Sequence, residues 1–317
     1  MADGETTDSP GAGSTHDAPP SSAAASALLR PPQAVRLAAQ LACVLEASAP
    51  KPGNVTPAAG FADLTYGELV ACGVAIGPGL EAAGDRGVGA TVLEAVRATR
   101  PHASGNPSLG IVLLLAPLAR AALLELPAPD LRGRLRAVLA ALDVQDARDA
   151  FAAIRLAGPG GLGEASEHDV REVPSVSLLE AMRAAADRDA IAAEYASGYA
   201  ASFEIGLPVL TAAAAAGVPI LDAIVEVHLA LLAAAGDTLI ARKCGPAASL
   251  DARDRARAVL TAGGTRSPAG RAALARLDEA LRRDGHRHNP GATADLVAAV
   301  LFIALLTGAI GAGPPRA

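Results

Sequence analysis

Leu109-Gly110-Ile111-Val112-Leu113-Leu114-Leu115-Ala116-Pro117-Leu118-Ala119 and Leu296-Val297-Ala298-Ala299-Val300-Leu301-Phe302-Ile303-Ala304-Leu305-Leu306 decide the fold of this chain. Wound at 3.6 residues per turn, each run is apolar on every side, so neither belongs at a surface with one face in water. Each is 11 residues long, well short of the roughly 20 apolar residues that span a bilayer. A third apolar stretch, from Ile205 to Leu221, is interrupted by Pro208, Gly217 and Pro219. The segments therefore read as buried central helices of a bundle, with Ala-rich neighbours packed close enough to replace missing aromatic bulk.

Outward from these runs the pattern stays helical. Val35, Leu37, Leu41, Val44 and Leu45 predict one apolar stripe, and Leu131, Leu135, Val138, Leu139 and Leu142 another. Thr65 to Glu68 and Ser177 to Glu180 fit the S/T-x-x-E capping box. No stretch alternates β-branched and polar residues as a half-buried strand would, and no fixed repeat suggests a solenoid. The expectation is an all-α, compact single-domain bundle of roughly ten helices over residues 31–313. Residues 1–30 read as a disordered, acidic, low-complexity tail. They lack the basic start and apolar core of a secretory signal, and a cytoplasmic protein is expected.

Composition narrows the function classes. The 317 residues are 51% hydrophobic and 2% aromatic, with no Trp and a formal net charge of −6. That balance excludes disorder and a general nucleic-acid surface, and no membrane span is expected. Cys43, Cys72 and Cys244 are widely spaced, so they read as buried thiols in a reducing compartment. Gly158 to Gly163 lacks the preceding strand of a dinucleotide fingerprint, and His286 and His288 make a poor metal pair.

The rarest polar residues point to chemistry. Of 27 basic residues only Lys51 and Lys243 are lysines, and only Asn54, Asn106 and Asn289 are asparagines. All five fall in four short patches at helix boundaries: Glu46 with Lys51-Pro52-Gly53-Asn54-Val55, Ser104 to Gly110, Asp237 to Lys243, and Asn289-Pro290-Gly291-Ala292-Thr293-Ala294-Asp295. Helices beginning near Ser108 and Thr293 offer N-terminal N–H groups to an anion, and Gly53, Gly110 and Gly291 let a phosphate approach the backbone. Lys51, Arg242 and Lys243 add cations suited to a polyphosphate. Glu46, Asp63, Asp237 and Asp295 are carboxylates able to hold magnesium or accept a hydroxyl proton. Three of the four patches also have a plain structural reading. Asn289-Pro290-Gly291 is a good turn and Thr293 a good N-cap. Asp237 is a helix cap with Arg242 and Lys243 on a solvated face. Pro50 to Gly53 is an exposed linker, and Glu46 is a solvated charge.

Taken together and in order, the four patches resemble the triphosphoribosyl-dephospho-CoA synthase family over about residues 35–310. The likeness extends to Asp143 to Gly163 and Asp189 to Pro208, while the family's Asn-Thr-Asn-x-Gly loop here reads Asn106-Pro107-Ser108-Leu109-Gly110. The resemblance implies an all-helical transferase that moves the 5-triphosphoribosyl group of ATP to the 2′-hydroxyl of dephospho-CoA and releases adenine. The product is a precursor of a lyase acyl carrier protein's prosthetic group. It further implies Glu46, Asp237 and Asp295 as catalytic carboxylates. Lys51, Gly53, Asn54, Asn106, Gly110, Arg242, Lys243, Asn289, Gly291 and Thr293 would bind ATP and its phosphates, with Mg2+ on Glu46, Asp63 and Asp237. Two alternatives remain: a related ribosyl or phosphoribosyl transferase with another acceptor, for example in methanopterin-type one-carbon metabolism, or a nucleotide-binding helical module without turnover.

Overall fold

The computed structural model describes Met1 and residues 29–103, 105, 107–158 and 167–310. Its helices are α1 (Pro32–Ser48), α2 (Tyr66–Ala75), α3 (Gly77–Glu81), α4 (Val88–Thr99), α5 (Leu109–Leu123), α6 (Leu131–Ala140), α7 (Val144–Ala157), α8 (Leu178–Ala185) and α9 (Ala190–Ser197). A π-helical segment, Ala201–Gly206, leads into α10 (Leu207–Ala215), followed by α11 (Ile220–Ala235), α12 (Thr238–Cys244) and α13 (Pro246–Thr261). A 3-10 turn, Gly264–Arg266, precedes α14 (Pro268–Arg282) and α15 (Gly291–Thr307). Among the described residues there is no strand, only isolated bridges pairing Thr56 with Ala59 and Phe61 with Leu64. The all-helical expectation therefore holds, in shorter and more numerous segments than the roughly ten expected. Most of the acidic stretch before residue 29 lies outside the described residues.

α15 is the axis of the molecule. Every residue from Leu296 to Ala304 is buried, and α15 packs against α1, α5, the π segment and α9 to α12. Small residues allow this crowding: a Cβ on Gly206 would stand 2.3 Å from Val300 Cγ2. A large apolar core surrounds α15, and a smaller one forms where α13 and α14 pack on α11, through Val225, Leu229, Ala256, Val259 and Leu277. Among the described residues no single helix is long and apolar enough to cross a membrane. α11 and α12 together match such a span in length and composition, but they are bent by 58°.

Pro117 lies inside α5. Proline has no N–H, so the carbonyl of Leu113, one turn earlier, loses its intrahelical donor. The Tyr195 hydroxyl supplies one, donating to Leu113 O at 2.6 Å, and Tyr199 donates to Leu114 O at 2.8 Å. Both rings are buried, so the few aromatics present repair a broken helix as well as fill space.

Both predicted capping boxes form, at Thr65/Glu68 and at Ser177/Glu180. The α6 stripe is buried as expected. The α1 stripe is not. Leu37 is 65% exposed, and the buried face is Val35, Ala39, Ala42, Cys43, Glu46 and Ala47. Alanines pack closer to the crowded axis than leucines can, so the small residues choose the inward face and carry Glu46 in with them. Cys43 and Cys72 are buried thiols as expected, whereas Cys244 is half-buried with its Sγ 3.5 Å from Arg287 O.

Candidate functional site

The four polar patches meet at the N-terminal end of α15. Beyond α1 the chain turns through Pro50-Lys51-Pro52-Gly53, and every residue from Lys51 to Thr56 is buried. An exposed linker is excluded. The Lys51 ammonium has no solvent exposure, lies 3.0 Å from Glu46 Oε1 and also donates to the Glu46 carbonyl. It thereby satisfies one of the open carbonyls at the C-terminal end of α1 and balances a buried carboxylate. Lys51 is thus a fixed charge under the site rather than the mobile phosphate cation expected of it.

α14 clamps the same loop. Gly53 N–H donates to Asp278 Oδ1 at 2.7 Å, Arg282 Nε donates to that oxygen at 2.8 Å, and Arg282 Nη2 donates to Asn54 O. Gly53 has φ +75°, and a Cβ there would stand 2.7 Å from Leu281 Cβ, so both conformation and space require glycine. Asn54 Nδ2 donates to Asn289 Oδ1 at 2.6 Å, joining the first patch to the fourth. Asn54 Oδ1 is buried and has no donor among the described residues.

Asp237 joins the third patch to the fourth. Its Oδ1 accepts from Leu239 N at 2.9 Å and Ile240 N at 3.0 Å, capping α12. Its Oδ2 accepts from Thr293 N and Thr293 Oγ1, both at 2.8 Å, in the first turn of α15. The Asp237 N–H itself donates to Ser249 Oγ at 2.8 Å. The anion received by this end of α15 is therefore the chain's own carboxylate, in the place where a substrate phosphate was expected. Burial pushes the Asp237 pKa above the ordinary aspartate value, while the four donated hydrogen bonds pull it down. Gly291 lets the α12 side chain of Leu239 pack against the same turn, since a Cβ there would stand 2.6 Å from Leu239 Cδ2.

Asp295 is the carboxylate left open. It sits one turn into α15, half-buried, and takes no hydrogen bond among the described residues. Its Oδ2 would stand 2.0 Å from a Cβ on Gly110, so Gly110 admits it against the first turn of α5. Burial raises its pKa well above the usual carboxylate value, and the negative charges of Glu46, Asp237 and Asp189 raise it further; Arg242 opposes them. Arg242 pairs with Asp189 at 3.5 Å, and Lys243 is half-buried beside it in the last turn of α12. His228, at the middle of α11, is fully buried, and neither ring nitrogen has a partner among the described residues. Burial pushes its pKa down to about 3, with the Lys51 charge adding to the effect.

The structure thus brings Glu46, Lys51, Gly53, Asn54, Gly110, Asp237, Arg242, Asn289, Gly291, Thr293 and Asp295 into one neighbourhood. Asn106 lies outside the described residues. Asp63 stands apart: it is exposed on the loop after α1 and lies 3.4 Å from His286 Nδ1. Glu46 is engaged by Lys51 and Asp237 by four donors, so Glu46, Asp63 and Asp237 do not form a ready magnesium site. Among the described residues no three His, Cys, Asp or Glu side chains are arranged to hold a metal. Sequence reasoning missed His228, Asp189, Ser249 and the Asp278/Arg282 clamp. Asp278 and Arg282 show an i,i+4 ion-pair spacing, but nothing in that spacing says that they reach a loop more than 220 residues away.

Comparison with known proteins points to one family. The family model for ATP:dephospho-CoA triphosphoribosyl transferase (CitG) matches residues 32–313. A probable 2-(5''-triphosphoribosyl)-3'-dephosphocoenzyme-A synthase of Stutzerimonas stutzeri is 38% identical over 115 residues, which is 36% of this chain and 39% of that protein. The 2-(5''-triphosphoribosyl)-3'-dephosphocoenzyme-A synthase of Klebsiella pneumoniae is 36% identical over 104 residues, 33% of this chain and 36% of that one. The matched stretches therefore span little more than a third of these curated relatives. A crystal structure from Archaeoglobus fulgidus, assigned as a triphosphoribosyl-dephospho-CoA synthase, superposes with a TM-score of 0.57 at 25% identity. That superposition covers 75% of this chain and 99% of the other. On the extent of the family match, supported by this shared fold, the chain belongs to the ATP:dephospho-CoA triphosphoribosyl transferase family.

Proposed function

We propose that this protein transfers the 5-triphosphoribosyl group of ATP to the 2′-hydroxyl of dephospho-CoA and releases adenine. The observation that carries the reading is Asp295: an open carboxylate with a raised pKa, in a buried polar neighbourhood where Glu46 and Asp237 are already engaged. In the transfer, the ribose C1′–N9 bond breaks with its electron pair leaving on adenine, and the acceptor oxygen bonds to C1′. The acceptor proton passes to Asp295 and from there to the departing base. A carboxyl with an elevated pKa suits both steps, because it takes the proton and gives it up again.

Glu46, held against Lys51, supplies negative charge facing the oxocarbenium-like ribose. In this reading Arg242 and Lys243 meet the triphosphate, and Asn54 Oδ1 accepts from a ligand N–H. Asp237 and Thr293 position Asp295 by locking α12 to α15. The four engaged hydrogen bonds of Asp237 give it a positioning role. No step is routed through magnesium, because among the described residues no three His, Cys, Asp or Glu side chains are grouped to hold a metal.

The test is incubation of the protein with ATP and dephospho-CoA, with and without magnesium, following free adenine and the mass of the acceptor. The expected result is adenine release matched by gain of one triphosphoribosyl unit. ATP bound without adenine release, with dephospho-CoA present, would overturn the proposal.

A further inference from the structure

Of the carboxylates whose charge reaches Asp295, Glu46 and Asp237 have roles in the proposed reaction and Asp189 has none. Asp189 stands immediately before α9, and its Oδ1 caps that helix, accepting from Ile191 N at 2.9 Å and Ala192 N at 3.1 Å. Its other oxygen, Oδ2, lies 3.5 Å from Arg242 Nη1. One turn before Arg242 on α12, Thr238 Oγ1 accepts from Ala190 N at 3.1 Å. Residues four apart share a helix face, so these two contacts join the start of α9 to one face of α12. Both helices pack against α15, which carries Asp295. Neither side chain of the pair is sealed in: Arg242 is 26% exposed and Asp189 32%. A pair so open to water contributes little to folding. What it fixes is direction. An arginine gives up much rotamer freedom on binding a ligand, and a carboxylate that already holds the guanidinium removes part of that cost.

We propose that Asp189 is a positioning residue that holds the Arg242 guanidinium toward the triphosphate of ATP and acts on the substrate only through Arg242. This rests on the transfer reaction proposed above. The contact to Asp189 engages one end of the guanidinium, and the remaining N–H groups of its fork suit phosphate oxygens. The pair also acts on Asp295. Burial is the main cause of the raised Asp295 pKa; Glu46 on α1, Asp237 before α12 and Asp189 before α9 add to it, and Arg242 on α12 opposes them. Removing one member of the pair therefore moves Asp295 the opposite way from removing the other.

Asparagine caps a helix as well as aspartate does, so Asp189→Asn removes the charge and keeps the start of α9. ATP binding by calorimetry, and adenine release with dephospho-CoA at successive pH values, are measured for the parent, Asp189→Asn, Arg242→Met and the double variant. Asp189→Asn should weaken ATP binding by about fivefold, and its KM for ATP should rise by more than kcat falls. In the Arg242→Met background the same substitution should add no further loss. The inflection of the pH–rate profile should move to lower pH in Asp189→Asn and to higher pH in Arg242→Met, a pair of shifts that a merely structural contact would not produce. Asp189→Ser, which also caps, gives the same pattern if Asp189→Asn does not fold. Unchanged ATP affinity in Asp189→Asn, or additive losses in the double variant, overturns the inference whether or not the parent releases adenine. A parent that binds ATP without releasing adenine overturns the transfer reaction and leaves the calorimetric comparison to decide the role of Asp189. A parent that binds no ATP overturns both.

Discussion

At the scale of single residues, Asp295 and Lys51 hold opposite kinds of charge. Burial, with the neighbouring carboxylates adding to it, makes ionised Asp295 costly, so its stabilising contribution is present below the ordinary aspartate pKa and is lost as pH rises through the raised folded value. Asp295→Asn removes that cost and should melt no lower, and by up to a few degrees higher, than the parent at neutral pH. Adenine release should fall by about 100-fold or more, the usual size of a lost general base. The parent's rate should rise with pH through the elevated Asp295 pKa, and a flat profile would remove Asp295 from the proton path. Lys51 is the reverse case. Lys51→Met leaves Glu46 buried and unpaired, which should cost about 3–5 kcal/mol in urea unfolding, and adding Glu46→Gln should recover most of that loss.

At the scale of elements, rigid placement comes from polar groups that bind broken or terminated helices. Tyr195 closes the gap that Pro117 opens in α5, so Tyr195→Phe should cost about 1–3 kcal/mol by leaving the Leu113 carbonyl buried and unsatisfied. A thermal or urea melt checks this, and an unchanged midpoint would mean that water replaces the hydroxyl. Asp237 caps two helices with one carboxylate, fixing how α12 and α15 approach one another. Helix ends with carboxylate caps are visible in sequence as Asp-Thr or Ser-x-x-Glu. Which second helix shares the cap is not visible, because Thr293 is 56 residues from Asp237. The same limit hid the true face of α1. Its leucines predicted one stripe, while close packing at the axis selected its alanines and buried Glu46.

At the scale of the whole molecule, acid should unfold this protein partly through His228. The imidazole is buried neutral, with a folded pKa of about 3 against about 6.5 in the unfolded chain. Its contribution is complete above pH 6.5 and is lost as pH falls toward 3, by roughly 4–5 kcal/mol at 1.36 kcal/mol per pH unit. His228→Leu should flatten the stability curve across that window in urea unfolding at successive pH values, and an unaltered acid limb would refute the assignment. The apolar runs, capping boxes and Gly/Pro breaks are local, so the all-helical class and the family were legible from residue order alone. The scarcity of Lys and Asn picked out the four patches for the same reason: composition and short motifs are properties of the chain itself. Roles within the site were not legible. Lys51 was read as a phosphate cation and is a buried counter-charge; Asp237 was read as a catalytic carboxylate and is saturated by four donors. Residue order therefore determined which short polar patches the fold gathers into one neighbourhood. Only the tertiary structure decided which of their side chains are engaged and which stay open, because hydrogen-bond saturation, burial and charge pairing arise between residues that the chain keeps far apart.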